Sequence, residues 1–285
     1  MTLVVATGGV DISVGSVVAI SGAIACSVID GRLGVFDYSL AAALLLALLS
    51  GVLCGLWNGF LVAKVKIQPM VATLILMTAG RGIAQLITNG KIVTVNSAPM
   101  MEPYYFIGAG YLLGFPFALY IVLAVSAAIM LLVRRTAFGL FLESLGANSR
   151  SSRLSGVNVD RMKLTVFTIS GLLAGIAGIL ISSNIKGADC NNAGLFIELD
   201  AILSVAIGGN SLGGGRFMVP ASLVGALFVQ CLTTTVYALG VPPEVISLIK
   251  ALVIVVLCLF QSKEFRKRIF GGERTSGRSK NGQEG

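Results

Sequence analysis

The chain has 285 residues, of which 55% are apolar and only 12% charged, with a formal net charge of +8 and a mean hydropathy of +0.91. That charged fraction is about half the ordinary value for soluble domains and cannot cover the surface of a water-soluble core of this size, which disfavours soluble-enzyme classes. Histidine is absent and the five cysteines (Cys26, Cys54, Cys190, Cys231, Cys258) are scattered without a C-x-x-C pair, so His-based acid–base chemistry and His metal ligation are excluded and a disulfide framework has no support.

In chain order, Met1–Ala6 is apolar but too short to cross a bilayer, and it lacks the basic start and cleavage site of a signal peptide. It reads either as a short buried segment or as the last part of a helix. Gly8-Gly9-Val10-Asp11-Ile12-Ser13-Val14-Gly15 follows. Eight stretches then approach the roughly 20 apolar residues that a membrane span needs: Val14–Ile29, Ser39–Ala63, Ile67–Thr88, Leu112–Val133, Met162–Ser183, Leu199–Gly215, Val219–Leu239 and Glu244–Phe260. The first, sixth and eighth are short or interrupted. The expected architecture is all-α: a polytopic transmembrane helical bundle of about eight spans with Gly-rich broken helices. It occupies residues 1–261, and a basic tail over 262–285 is too polar to pack and is expected to be disordered.

Lys and Arg set the orientation of such a bundle. With Arg134–Lys163 in the cytoplasm, that side receives Lys64, Lys66, Arg134, Arg135, Arg150, Arg153, Arg161, Lys163, Arg216 and seven residues of the tail, sixteen in all. The other side receives three, Arg32, Lys91 and Lys186. The positive charge is therefore a topology signal. It is not a nucleic-acid footprint, which would need a folded soluble basic face. The C-terminus falls in the cytoplasm.

Within the longest cytoplasmic loop, Phe138, Phe141, Leu142 and Leu145 recur at helical spacing between Ala137 and Asn148. Gly146 and Gly156 punctuate the segment. An amphipathic helix here either lies on the lipid surface or docks into a partner's groove. Two Gly-rich interruptions, Gly8–Gly15 and Gly208–Gly215, each lie near an acid, Asp11 or Asp200. Paired helix breaks of this kind can mark a transport path, while a single glycine can equally serve close packing. Gly209 and Gly214 have the spacing of a phosphate loop, but Gly215 and Arg216 replace its Lys-Ser/Thr, so ATP binding by this chain is rejected. Among polar residues in or near spans, Asp11, Ser13, Asn58, Arg81, Asp200 and Asn210 are candidates for a translocation path. Arg81 lies about 21 Å along its span, where snorkelling is equally open to it, and Asn58 can equally bond between helices. No dense Asp/Glu/His chain of the proton-relay kind is present.

Taken together, the motifs resemble the membrane permeases of bacterial ATP-binding-cassette importers for monosaccharides, the ribose/galactose group. Gly8–Ser16 is similar to that family's G-G-I-D-L-S-V-G-S signature. Gly146-x-Asn148 with Ser155-Gly156-Val157 is similar to its cytoplasmic motif, and Glu198-Leu199-Asp200-Ala201-Ile202 with Ile207-Gly208-Gly209 and Leu212-x-Gly214-Gly215 to its late motif. Ile67–Met77 and Gly187–Leu195 look like the galactofuranose-type subgroup. Ser151 and Ser152 stand where the family has paired alanines, and Ser144 where it has another. Family members carry one further span and part of another ahead of the first motif, so the resemblance implies that this chain starts partway through a helix.

The resemblance implies a permease subunit in the bacterial cytoplasmic membrane, without its own catalytic residues, cofactor or metal. ATP and Mg would be bound by a cytoplasmic ATPase partner. A second permease subunit and a periplasmic or lipid-anchored sugar-binding protein complete the assembly, membrane lipid surrounds it, and nucleic acid has no part. It also implies that Ala137–Val157 holds the coupling helix. Phe138, Gly139, Phe141, Leu142, Leu145, Gly146, Asn148, Ser155, Gly156 and Val157 would then form the ATPase-docking loop, with Phe138, Phe141, Leu142 and Leu145 filling the ATPase cleft. The alternative is a stand-alone secondary carrier or channel for a small polar solute.

Overall fold

The computed structural model describes residues 1–32, 39–95 and 100–240, with single positions at Val245, Leu248, Ala251 and Leu252. The eighth expected span, Glu244–Phe260, and the basic tail lie outside the described residues apart from those positions.

The described chain is helical almost throughout. A short buried α1 (Thr2–Ala6) leads through a Gly-Gly turn into α2 (Val14–Ile29). Then come α3 (Leu40–Ala63), α4 (Pro69–Thr88), β1 (Val93–Thr94), α5 (Met101–Ala109), β2 (Tyr111–Leu112), β3 (Phe115–Pro116), α6 (Phe117–Arg135), α7 (Ala137–Ala147) and α8 (Ser149–Leu154). The chain continues with α9 (Val159–Asn184), β4 (Gly187–Ala188), α10 (Ile197–Ile207) and α11 (Val219–Ala238). Their ends carry ordinary signals. Ser39 accepts from the Ala42 amide at α3 and Asn158 from the Arg161 amide at α9. Proline opens α4 and α11, and Asn89 closes α4 in the left-handed region.

Among the described residues, five helices are long and apolar enough to cross a membrane: α3, α4, α6, α9 and α11. They match five of the expected spans within a few residues. The first expected span is α2, with the expected bounds, but it is the centre of the bundle: all of its residues except Val14 and Ile24 are buried. The sixth expected span is corrected. Residues 199–215 do not form one helix. After 11 residues α10 stops at Ile207, and Gly208–Gly215 turns the chain into α11. The fourth is trimmed, because Leu112 belongs to a β2–β3 hairpin and the helix begins only at Phe117. The stretch Asn89–Tyr111, read as a polar connection, contains α5. It packs on α9 through the buried Tyr104, whose hydroxyl lies 2.6 Å from Ser182 Oγ and whose carbonyl accepts from Ser183 Oγ. Antiparallel β1 and β4 pair nearby.

Glycine sets the spacing of the core helices. A methyl added at Gly55 would lie 2.9 Å from Thr168 Cα, one at Gly59 2.9 Å from Leu164 Cα, and one at Gly51 3.1 Å from Gly175 Cα. Backbones of α3 and α9 therefore touch along a stripe of small residues at every fourth position, a packing mode suited to lipid, where helix association rests on close van der Waals fit. On α2, Gly22 meets Ser182 and Gly178 of α9 in the same way.

Strict internal repetition is not visible in the sequence, yet the two helix breaks share one hydrogen-bond pattern 201 residues apart. Gly8 N donates to Val5 O and Gly9 N to Val4 O; Gly209 N donates to Ala206 O and Asn210 N to Val205 O. Gly8 and Gly209 have φ of 77° and 76°, a left-handed conformation that closes a helix without cost only for glycine.

Candidate functional site

The first break carries a buried polar cluster. Beyond Gly9 the chain turns back into the bundle, and Asp11, 3% exposed, aims its carboxylate at three donors. The Ser13 amide and hydroxyl donate to Oδ1 at 3.1 and 2.6 Å, and the Ser170 hydroxyl of α9 donates to Oδ2 at 2.8 Å. Asn58 of α3 donates to Ser13 Oγ at 2.8 Å, while its own carbonyl oxygen has no partner among the described residues. Thr73 of α4 accepts from the Ile12 amide at 3.2 Å. Three helices thus hold the non-helical segment, satisfying backbone and carboxylate that lipid cannot solvate. Replacing Ser170 by alanine should leave Oδ2 without this donor and destabilise the protein by about 2 kcal/mol, read as a lower melting temperature in detergent.

Three of the six path candidates, Asp11, Ser13 and Asn58, therefore come together, and they are buried. The others lie in separate surroundings. The Arg81 guanidinium donates to the carbonyls of Cys190, Asn191 and Ala193 at 3.1, 3.2 and 2.7 Å. Arg81 thus clamps the loop between β4 and α10, and Gln85 adds a bond to Asn191 at 2.7 Å. In that loop burial pushes the Asp189 carboxyl up. Hydrogen bonds from the Asn192 side chain and the Asn191 and Asn192 amides, helped by the charge of Arg81, outweigh this and hold it below the usual range. Asn210 closes the second break. Its Oδ1 accepts from the Met218 amide at 2.6 Å and its Nδ2 donates to Ser222 Oγ at 2.8 Å. Asp200 is half-buried in the first turn of α10, and its carbonyl accepts from Ser204 at 2.6 Å.

Sequence reasoning passed over Ser170 and Glu198 as single residues. Glu198 is 3% exposed and reaches α2 where Gly15 has no side chain: a methyl there would lie 2.6 Å from Glu198 Oε2. The available signal for Ser170 was its place beside Gly171 on the small-residue face of α9.

The expected amphipathic helix is α7. It is capped by Thr136, which accepts from the Phe138 amide, and it ends at Asn148, whose side chain caps α8 by accepting from the Arg150 and Ser151 amides at 3.1 Å. Its apolar residues do not share one exposed face. Leu142 and Leu145 are fully buried, and Leu142 packs with Leu3, Val4, Val62, Phe167 and Phe217 of this same chain. They anchor α7 to the bundle and are not free to fill a partner's cleft. Gly139 is buried and Phe138 half-buried, whereas Leu140 and Phe141 face outward at 69% and 40% exposure. Phe141 joins Ser155, Gly156, Val157 and Met162 around a cleft of about 260 Å³. Leu140 opens on a second cleft of about 350 Å³ with Arg134, Glu143 and Met218. Of the two serines at the alanine positions, Ser152 is buried and Ser151 exposed.

All three sequence motifs converge at Gly146. A methyl on Gly146 would run into Ala6 O and the Gly215 amide. Gly215 N donates to Ala6 O at 3.0 Å, and a methyl on Gly214 would lie 2.8 Å from Gly8 N. The two helix breaks and the end of α7 thus form one joint made of main chain.

A family model described as branched-chain amino acid transport system / permease component matches residues 1–258. The galactofuranose transporter permease protein YtfT of Escherichia coli (strain K12) is 49% identical over 271 residues, covering 95% of this chain and 77% of the relative. The fructose import permease protein FruF of Bifidobacterium longum is 37% identical, covering 92% and 72%. The ribose import permease protein RbsC of Haemophilus influenzae is 38% identical, covering 91% and 78%. No solved structure matches. Five helices of membrane-spanning length among the described residues and two helix breaks joined at a capped loop helix, together with these matches, make the chain a member of the membrane permease-component family of transport systems.

Proposed function

We propose that this chain is the membrane permease subunit of an ATP-driven importer for a monosaccharide of the galactofuranose, galactose or ribose type. The observation that carries the reading is the joint at Gly146: it ties the exposed loop helix α7 directly to both broken helices. The sugar-permease relatives support the substrate class, and the 49% identity to a galactofuranose permease favours that sugar. A cytoplasmic ATPase supplies ATP hydrolysis with Mg, a second permease subunit completes the pathway, and a periplasmic or lipid-anchored binding protein delivers the sugar. The side bearing α7, with Arg134, Arg150, Arg153 and Arg161, is cytoplasmic. The Gly208–Gly215 segment serves as a helix break, with Gly214 and Gly215 packed against Gly8 and Gly146.

Leu140 and Phe141, with the clefts on either side of α7, form the ATPase-docking surface in this reading, and Leu142, Leu145 and Gly146 transmit its position to the breaks. Reconstitution into vesicles tests the whole proposal. Labelled monosaccharide should accumulate only when the ATPase, its ATP and the binding protein are present. Flux through the chain alone would instead identify a stand-alone carrier or channel.

A further inference from the structure

We propose that the β2–β3 hairpin is an interfacial anchor that inserts into the headgroup–acyl boundary of the bilayer on the face opposite α7. It rests on where α6 must sit. From Phe117 to Arg134 the helix rises about 26 Å, close to the roughly 30 Å hydrocarbon thickness. Arg134 and Arg135 end α6 and need the headgroup region on the α7 side. Counting back along the helix brings Phe117 to the opposite boundary, and the hairpin lies immediately before it.

The hairpin has the chemistry of that level. Every residue from Tyr111 to Pro116 is exposed, with Leu113 at 88% and Tyr111 at 70%. No charged residue occurs between Glu102 and Arg134. Aromatic residues crowd the site: Phe106 packs on Phe117 with ring centroids 5.2 Å apart, and the Tyr120 hydroxyl donates to Leu112 O at 3.1 Å. Nearby, Lys186 lies 4.1 Å from the Tyr105 ring centroid. Aromatic rings with polar tips favour the membrane–water boundary. Phe117 N donates to Gly110 O at 2.7 Å and closes the base of the hairpin.

The turn strengthens the case. Leu113 and Gly114 both have positive φ, 51° and 84°, the two-residue hairpin geometry that Asn-Gly or Gly-Gly adopts most easily. A leucine in the left-handed region is strained, and in water its exposed side chain would add no compensation. Insertion of Leu113, with Tyr111 and Phe115 beside it, into lipid supplies that compensation. Beyond the hairpin α6 has no buried residue, and Leu119, Val122 and Leu123 are exposed. A protein partner's surface would instead meet the polar rim that such interfaces carry.

The sole tryptophan, Trp57, makes the test direct. The full chain carrying Trp57→Phe and Leu113→Trp is reconstituted into phosphatidylcholine–phosphatidylglycerol vesicles whose acyl chains bear bromine at shallow or deep positions. An interfacial depth of about 5–10 Å predicts blue-shifted emission, about twofold quenching by shallow bromines, weaker quenching by deep ones and protection from aqueous iodide. Tyr111→Trp in the same background should behave alike and covers failure of the first variant to fold. Red-shifted emission that iodide quenches and bromine does not would overturn the proposal. A blue shift that appears only on adding a soluble sugar-binding protein would overturn it too and assign the hairpin to that partner.

Discussion

Replacing Gly146 by valine should abolish the folded joint and transport with it. The added side chain begins where Ala6 O and the Gly215 amide already stand, and neither is a flexible side chain that can swing away. Accommodation requires α7 to withdraw from the bundle or the two breaks to separate, which breaks the 3.0 Å bond between Gly215 N and Ala6 O. Overpacking of about 3 kcal/mol with an orphaned buried backbone group of about 1–2 kcal/mol is a large share of ordinary protein stability. The expected result is a sharp drop in melting temperature in detergent and loss of sugar uptake in reconstituted vesicles. Gly90→Ala is the natural control: it has left-handed φ but open space around it, so only modest backbone strain follows. Equal damage from both variants would mean that the crowding at Gly146 is not the cause.

The second large effect concerns the exposed side of α7. Changing Leu140 and Phe141 together to aspartate should release the ATPase while the bundle stays folded. Each is an exposed apolar side chain at the edge of a cleft. Loss of a central apolar contact typically costs about 2 kcal/mol, so two should weaken ATPase binding by about 1,000-fold. Co-purification with the ATPase and the melting temperature of the isolated chain separate binding from folding. Leu142→Asp should give the opposite pattern: it buries an unpaired charge among Leu3, Val4 and Phe167, so stability falls first. If the Leu140/Phe141 variant still retains the ATPase, the docking face of α7 lies elsewhere.

That contrast shows what was legible in the sequence. The period of Phe138, Phe141, Leu142 and Leu145 identified a helix, because an apolar stripe is needed whether it meets the chain's own core or a partner. It did not say which, and burial divides the set between the two. Hydropathy located α3, α4, α6, α9 and α11 to within a few residues. It overextended α10 because averaging over a span-length window blends a half-helix with an apolar Gly-rich turn, although the glycines themselves marked the stop. It passed over α5, whose nine residues include one fully buried side chain, Tyr104. Spacing picked out the three motifs, but their meeting at Gly146 depends on two chain reversals 201 residues apart. Arg81 and Asn210 were legible as costly polar residues in the membrane. Their carbonyl and amide partners are backbone groups that carry no sequence signature.

The joint between Ala6, Gly146 and Gly215 involves no side-chain functional group. Its carbonyl oxygens and amide N–H groups neither titrate near neutrality nor oxidise. At fixed pH, the exchange rate of the Gly215 amide proton reports how often the joint opens.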